Sequence, residues 1–267
     1  MSDDFQRRTS EQLISFYTQF RAELDQKPTT GRCMPYQWWE RPGRLSGIWM
    51  VWDQMLQEYA RELANIINDL TNHVDRLRAW HIVVDPLSDE GKLAATHEFV
   101  DQLGTIALGL PYAIKSRFAV AAGHLCHQAN MSKGIDDWKD EFPEGNLYLH
   151  HIEPFGNVWK KFRPFVLALE PLAGQKFRDA SANFRHAYNH GFSPNFVVGV
   201  SGSVERKVGN DGRVGYTFNQ SEPFTLAEVA DVLEIERDHC YRAFEAFQEL
   251  IGEQMDRIIS FESVPPN

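Results

Sequence analysis

Apolar residues recur at three- and four-residue spacing over most of this chain, the periodicity of an amphipathic helix. Thr9-Ser10-Glu11-Gln12 reads as a capping box, and Leu13, Phe16, Phe20 and Leu24 follow it as one stripe. Lys27 to Arg44 contains three prolines and two glycines and is read as a loop, with Trp38 and Trp39 as plugs for the core. Trp52, Met55, Tyr59, Leu63, Ile66, Leu70, Val74 and Leu77 then keep the alternation for about seven turns. That helix should end near Val84, because Asp85 precedes Pro86 and is disfavoured in helical geometry. A third helix is predicted from Asp89 to Leu110, with Pro111 breaking or kinking it and a fourth running to Asn130. Gly134 to Asn157 is polar and turn-rich and is expected to be irregular, and Val158 to Leu169 reads as a short helix interrupted near Pro164. Pro171 suits a helix start, Gly191 a left-handed helix end and Pro194 a stop, which predicts one helix from Pro171 to His190.

The period then changes to two. Phe196, Val198, Val200 and Val204, and after Gly209-Asn210-Asp211-Gly212 also Val214, Tyr216 and Phe218, alternate with small or polar residues, the pattern of a β-hairpin over 196–218. Its apolar face should cover the core or a partner subunit. Thr225-Leu226-Ala227-Glu228 is a second capping box. It opens a long helix on which Val229, Leu233, Cys240, Phe244, Phe247, Ile251, Met255 and Ile258 share a face. The expectation is therefore an all-α bundle of about six or seven helices with a hairpin inserted before the last, forming a single helical domain over 1–267. The N-terminal helices of that domain occupy 9–130.

Composition changes this picture little. The 267 residues are 43% hydrophobic and 24% charged, ordinary for a globular protein. The longest apolar stretch, Thr105 to Ala122, is interrupted by Pro111, Lys115 and Arg117, so no membrane span is expected. The acidic start Met1-Ser2-Asp3-Asp4 lacks the apolar core of an export signal, and Cys33, Cys126 and Cys240 form no CxxC pair, so a cytoplasmic protein with reduced thiols is expected. The net charge of −10 argues against a general nucleic-acid coat. Between Val158 and His190, however, Lys160, Lys161, Arg163, Lys176, Arg178 and Arg185 face only Glu170 and Asp179, which allows a local cationic surface.

The segment with specific chemistry is Arg185-His186-Ala187-Tyr188-Asn189-His190. In a helix His186 and His190 share a face, as do Arg185 and Asn189. The arginine fork matches two phosphate oxygens at any working pH. An imidazole titrating near neutrality can take the proton of a ribose 2′-hydroxyl or give one to the leaving oxygen. The set therefore suits cleavage of a phosphodiester, while a helix-end cap that interacts with the macrodipole is the alternative. His124-Leu125-Cys126-His127 and His150-His151 are weaker candidates for a metal-dependent hydrolase, since a zinc site needs converging ligands. Glu236 to His239 supplies one ExxH where a di-iron bundle needs two. No phosphate-loop, nucleophile-elbow or dinucleotide fingerprint is present.

Arginine, a polar residue, three further residues and histidine, late in a helix of an all-α chain, resembles the motif of the HEPN superfamily, with His186 in the polar slot. The resemblance covers about 158–261, the motif and its flanking helices, and the hairpin and the acidic last helix depart from the minimal pattern. It implies a homodimer that places Arg185 and His190 of each copy in a shared cleft and cleaves RNA without metal or another cofactor. His186 and Asn189 would assist, Lys176 and Arg178 would hold RNA phosphates, and the setting would be that of a toxin or defence protein. The alternative it leaves open is a non-catalytic interaction or regulatory module with a protein partner.

Overall fold

The computed structural model describes residues 3–26, 29–40, 45–134, 138–143, 145, 147–209 and 212–263. Its order is α1 (Asp3–Gln26), α2 (Met50–Val84), α3 (Asp89–Ala95), α4 (Asp101–Ala129), α5 (Leu149–Gly156), α6 (Phe162–Leu169), α7 (Gln175–Ala180), α8 (Phe184–His190), β1 (Ser201–Val208), β2 (Val214–Ser221) and α9 (Leu226–Glu262). The all-α class with a hairpin before the final helix is as the periodicity predicts, and no described helix is long and apolar enough to cross a membrane.

Five local expectations are corrected. Thr9 lies inside α1 rather than capping it. Pro111 lies inside α4 rather than ending it, so the loss of one backbone hydrogen bond is outweighed by the burial of Ala107, Leu108, Ile114 and Phe118 on the same helix. The third helix passes through a π-turn at Thr96–Val100 on its way into α4. Within the stretch expected to be irregular, Leu149–Gly156 is helical. Pro164 occupies the first turn of α6, where its missing N–H costs nothing.

The chain groups into two compact units. The first takes residues 1–31, 70–109 and 176–235. Its core includes a stack in which Trp80 lies 4.4 Å from Phe20 and 4.8 Å from Phe99, nearly parallel to both. The ring of Phe196 presses on Gly104 so closely that a Cβ there would meet it at 2.7 Å, which explains the glycine. Arg78, held by Asp231 and Glu234, ties α2 to α9 within this unit. Thr225 and Glu228 form the reciprocal capping box predicted for α9, with the Glu228 N–H donating to Oγ1 at 3.2 Å and the Thr225 N–H to the carboxylate at 2.9 Å.

The hairpin belongs to this first unit, with β1 and β2 antiparallel and Val204 opposite Phe218, Arg206 opposite Tyr216 and Val208 opposite Val214. Its base is fixed by Phe196 and Phe224, where the Val197 N–H donates to the Phe224 carbonyl at 2.8 Å and the Phe224 N–H to the Asn195 carbonyl at 2.9 Å. Beyond that base its apolar face does not cover the core, because Val204, Val208, Val214, Tyr216 and Phe218 are all exposed, Phe218 by 81%. The core expectation is thereby corrected: the strands extend past the last residues that reach it.

The second unit takes residues 32–69, 110–175 and 236–267. Phe118, Phe165 and Phe247 form a triangle of rings about 6 Å apart at its centre. Two buried indole N–H groups around it are matched, whereas Trp38 Nε1 is buried without a hydrogen-bond partner among the described residues. Trp52 Nε1 donates to Gln254 Oε1 at 3.2 Å, and Trp159 Nε1 to Asn130 Oδ1 at 2.8 Å. Trp38 and Trp39 are both half-buried, and Trp38 meets Phe244 and Phe247 edge-on.

Candidate functional site

The predicted helix Pro171–His190 is two helices separated by a tight turn. The Ser181 hydroxyl donates to the Phe177 carbonyl at 2.7 Å, competing for the oxygen that the helix ladder uses. The Asn183 N–H then reaches back to the Arg178 carbonyl and the Ala182 N–H to the Asp179 carbonyl, the paired bonds of a Schellman end. Ala182 and Asn183 accordingly have positive φ, 49° being matched nearby at Ala173 and the two residues standing at 47° and 51°. Gly191, expected to be left-handed, is extended at φ −157° and simply donates to the Ala187 carbonyl at 2.9 Å. The left-handed cap therefore precedes the motif instead of following it.

A seven-residue helix is marginal on its own, so α8 depends on its apolar residues. Phe184 is buried, lies 5.6 Å from Phe196 and stacks on Tyr188 at 5.8 Å. Phe184 alone of the helix is buried; Tyr188, Arg185, His186, Asn189 and His190 are all exposed. The two imidazoles stand 5.1 Å apart between ring centroids. Lys176, exposed, and Arg178, half-buried, lie on α7 across the 181–183 turn from the motif. The side chains that would act on a phosphodiester are thus gathered on one short, solvent-facing helix.

The four histidines weighed as metal ligands, His124, His127, His150 and His151, lie against other rings. His124 lies 4.2 Å from Phe142 and 5.9 Å from Tyr59, and burial, then the neighbouring His127, lowers its pKa. His127 is buried and its Nε2 lies 3.0 Å from Asp140 Oδ1. His150 and His151 stack with Tyr148. Among the described residues no group of three or more His, Cys, Asp or Glu could hold a metal ion.

Glu236 was legible in the sequence only as half of an ExxH pair. It is buried, and its Oε2 accepts from the Ala173 N–H at 2.6 Å, at the positive-φ turn after α6. Lys115 donates to the carbonyls of Glu170 and Leu172 at 2.8 Å each, so the two side chains clamp one turn. Burial pushes the Glu236 carboxyl up to about 7, against the smaller opposing effects of the Ala173 N–H and Lys115. Comparison with protein-family models, with curated proteins and with solved structures gave no match for this chain.

Proposed function

We propose that this protein is a HEPN-like, metal-independent endoribonuclease that acts as a homodimer. The observation that carries the reading is the exposure of Arg185, His186, Asn189 and His190 together on one short helix that buried Phe184 anchors. Arg185 binds the scissile phosphate and stabilises the charge that builds on it in the transition state. His190 moves the proton between the 2′-hydroxyl or the leaving oxygen and solvent, and His186 and Asn189 orient the reacting groups. Lys176 and Arg178 bind flanking phosphates. The test is cleavage of single-stranded RNA by purified protein, with and without chelator. Cleavage that survives chelation supports the reading; protein that neither cleaves nor binds RNA in either condition overturns it.

One observation favours a second reading, a non-catalytic interaction module. Val204, Val208, Val214, Tyr216 and Phe218 are exposed on one face of the hairpin, with Arg206 among them, a largely apolar surface of the kind that marks a protein contact. If it is that contact, Phe218→Ser leaves the melting temperature unchanged and abolishes the assembly measured by light scattering. Assembly indifferent to Phe218→Ser removes this support.

A further inference from the structure

In the second unit a cleft of about 320 Å³ is lined by Tyr36, Gln37, Trp39, Gln57, Arg61 and Asn65. Its volume is at the lower end of the range of small-ligand sites, roughly 300–1,000 Å³. Gln57, Arg61 and Asn65 are spaced four residues apart on α2 and so form a ladder along one helix face, about 12 Å long from the helical rise. The opposite wall comes from the 29–40 segment and brings two aromatic rings and a third carboxamide. In a chain of net charge −10, the lining holds one cation and no carboxylate among the described residues. The acids beside Arg61 on the helix are engaged elsewhere. Glu58 accepts from Gln54 at 2.7 Å and Glu62 pairs with Arg117 at 3.2 Å. Gln57 donates its amide to Asp53 at 2.8 Å, which leaves its Oε1 as an acceptor.

We propose that this cleft binds a nucleotide. The base stacks on Trp39 and Tyr36, whose faces accept any planar heterocycle. The carboxamides of Gln37, Gln57 and Asn65 offer the mixed donors and acceptors that a base edge requires. Arg61 takes the phosphate through its fork. The ladder's length suits one nucleotide unit, whether free or as part of a strand. The site is independent of the proposed RNA cleavage, since it uses none of the residues of α8.

The test is titration of the full chain with AMP, GMP, CMP and UMP, followed by tryptophan fluorescence and calorimetry at low salt. Adenosine, an octaadenylate strand and glucose are the comparison ligands. At least one mononucleotide, or the strand, is expected to bind saturably. Arg61→Ala should weaken that binding about tenfold or more while leaving adenosine binding unchanged. Trp39→Ala should weaken nucleotide and nucleoside alike, by roughly 5- to 100-fold for a lost stacking partner. Trp39→Phe should retain part of the affinity, and it keeps the test open should the alanine variant fold poorly. Tighter binding of the strand that is equally sensitive to Arg61→Ala identifies single-stranded nucleic acid as the source; binding of mononucleotide alone identifies a free nucleotide. Arg185→Ala should leave the mononucleotide affinities intact, whatever it does to strand binding and cleavage. The proposal is overturned by no saturable binding at millimolar concentration or by glucose binding in preference. It is equally overturned by mononucleotide affinity lost with Arg185→Ala and not with Arg61→Ala.

Discussion

Arg185 and His190 are five residues apart on α8, and their variants separate a chemical role from a capping one. Both side chains are exposed while Phe184 anchors the helix. Arg185→Ala and His190→Ala should therefore each reduce RNA cleavage about 100-fold or more, the usual scale for a lost acid/base or transition-state charge, with little change in melting. Arg185→Lys should be nearly as damaging, because an ammonium does not reproduce the fork. A capping His190 would behave in the opposite way, losing stability by about 1 kcal/mol with no cleavage to lose. Glu236 makes a different single-residue prediction. Its carboxyl is held at about 7 in the folded protein, above the ordinary 4.5. The folded state therefore binds the proton more tightly, and stability is greatest at acid pH and declines as pH rises through that window. The decline is on the order of 3 kcal/mol. Glu236→Gln keeps an acceptor for the Ala173 N–H and should flatten that part of the stability curve, as chemical denaturation at pH 5 and pH 8 would reveal. An unchanged slope would assign the effect to other groups.

At the scale of elements, periodicity carried the long helices because their stripes are long enough to outvote any one residue. α2 and α9 are where the spacing put them, and so is the capping box of Thr225 and Glu228. Pro111 misled because a single proline is judged by local cost, and the burial that outweighs it comes from Ala107, Leu108, Ile114 and Phe118, within two turns on either side. The break at 181–183 was illegible for the opposite reason. Neither Gly nor Pro marks it, and it depends on one serine hydroxyl competing for a carbonyl. The motif was legible as a group of residues but not its setting, a seven-residue helix after a left-handed turn. The cleft residues Gln57, Arg61 and Asn65 had a signal, spacing by four on the polar side of α2, but it joins Tyr36 and Trp39 only through the fold. The turn itself is testable. A non-glycine residue at positive φ is disfavoured by about 1 kcal/mol, so Ala182→Gly should raise stability by about that amount and the melting temperature by about 2 °C. Destabilisation instead would mean that the added freedom of glycine in the unfolded chain outweighs the relief of strain.

At the scale of the whole molecule, the excess of negative charge is unlike an acidic surface of uniform strength. Much of the acid on α9 is bound to other parts of its own unit. Glu228 caps Thr225, and Asp231 and Glu234 hold Arg78. Glu245 pairs with Arg32, Glu249 with Lys161, Glu253 accepts from the backbone of Lys160 and Lys161, and Glu262 accepts from Ser46 and Trp49. An acidic last helix is therefore compatible with an RNA-cleaving protein, because these carboxylates act as staples. What the proposed chemistry still requires is a second copy, and subunit mixing tests that requirement directly. Arg185→Ala and His190→Ala chains are each inactive as homodimers. Once mixed and allowed to exchange, about half of the dimers are mixed, and one of their two sites joins the intact Arg185 of one chain to the intact His190 of the other. Sites built across the dimer should therefore regain about a quarter of wild-type cleavage, from a baseline lower by about 100-fold. Sites contained within one chain would regain nothing, and light scattering that shows a monomer at micromolar concentration would remove the shared cleft altogether.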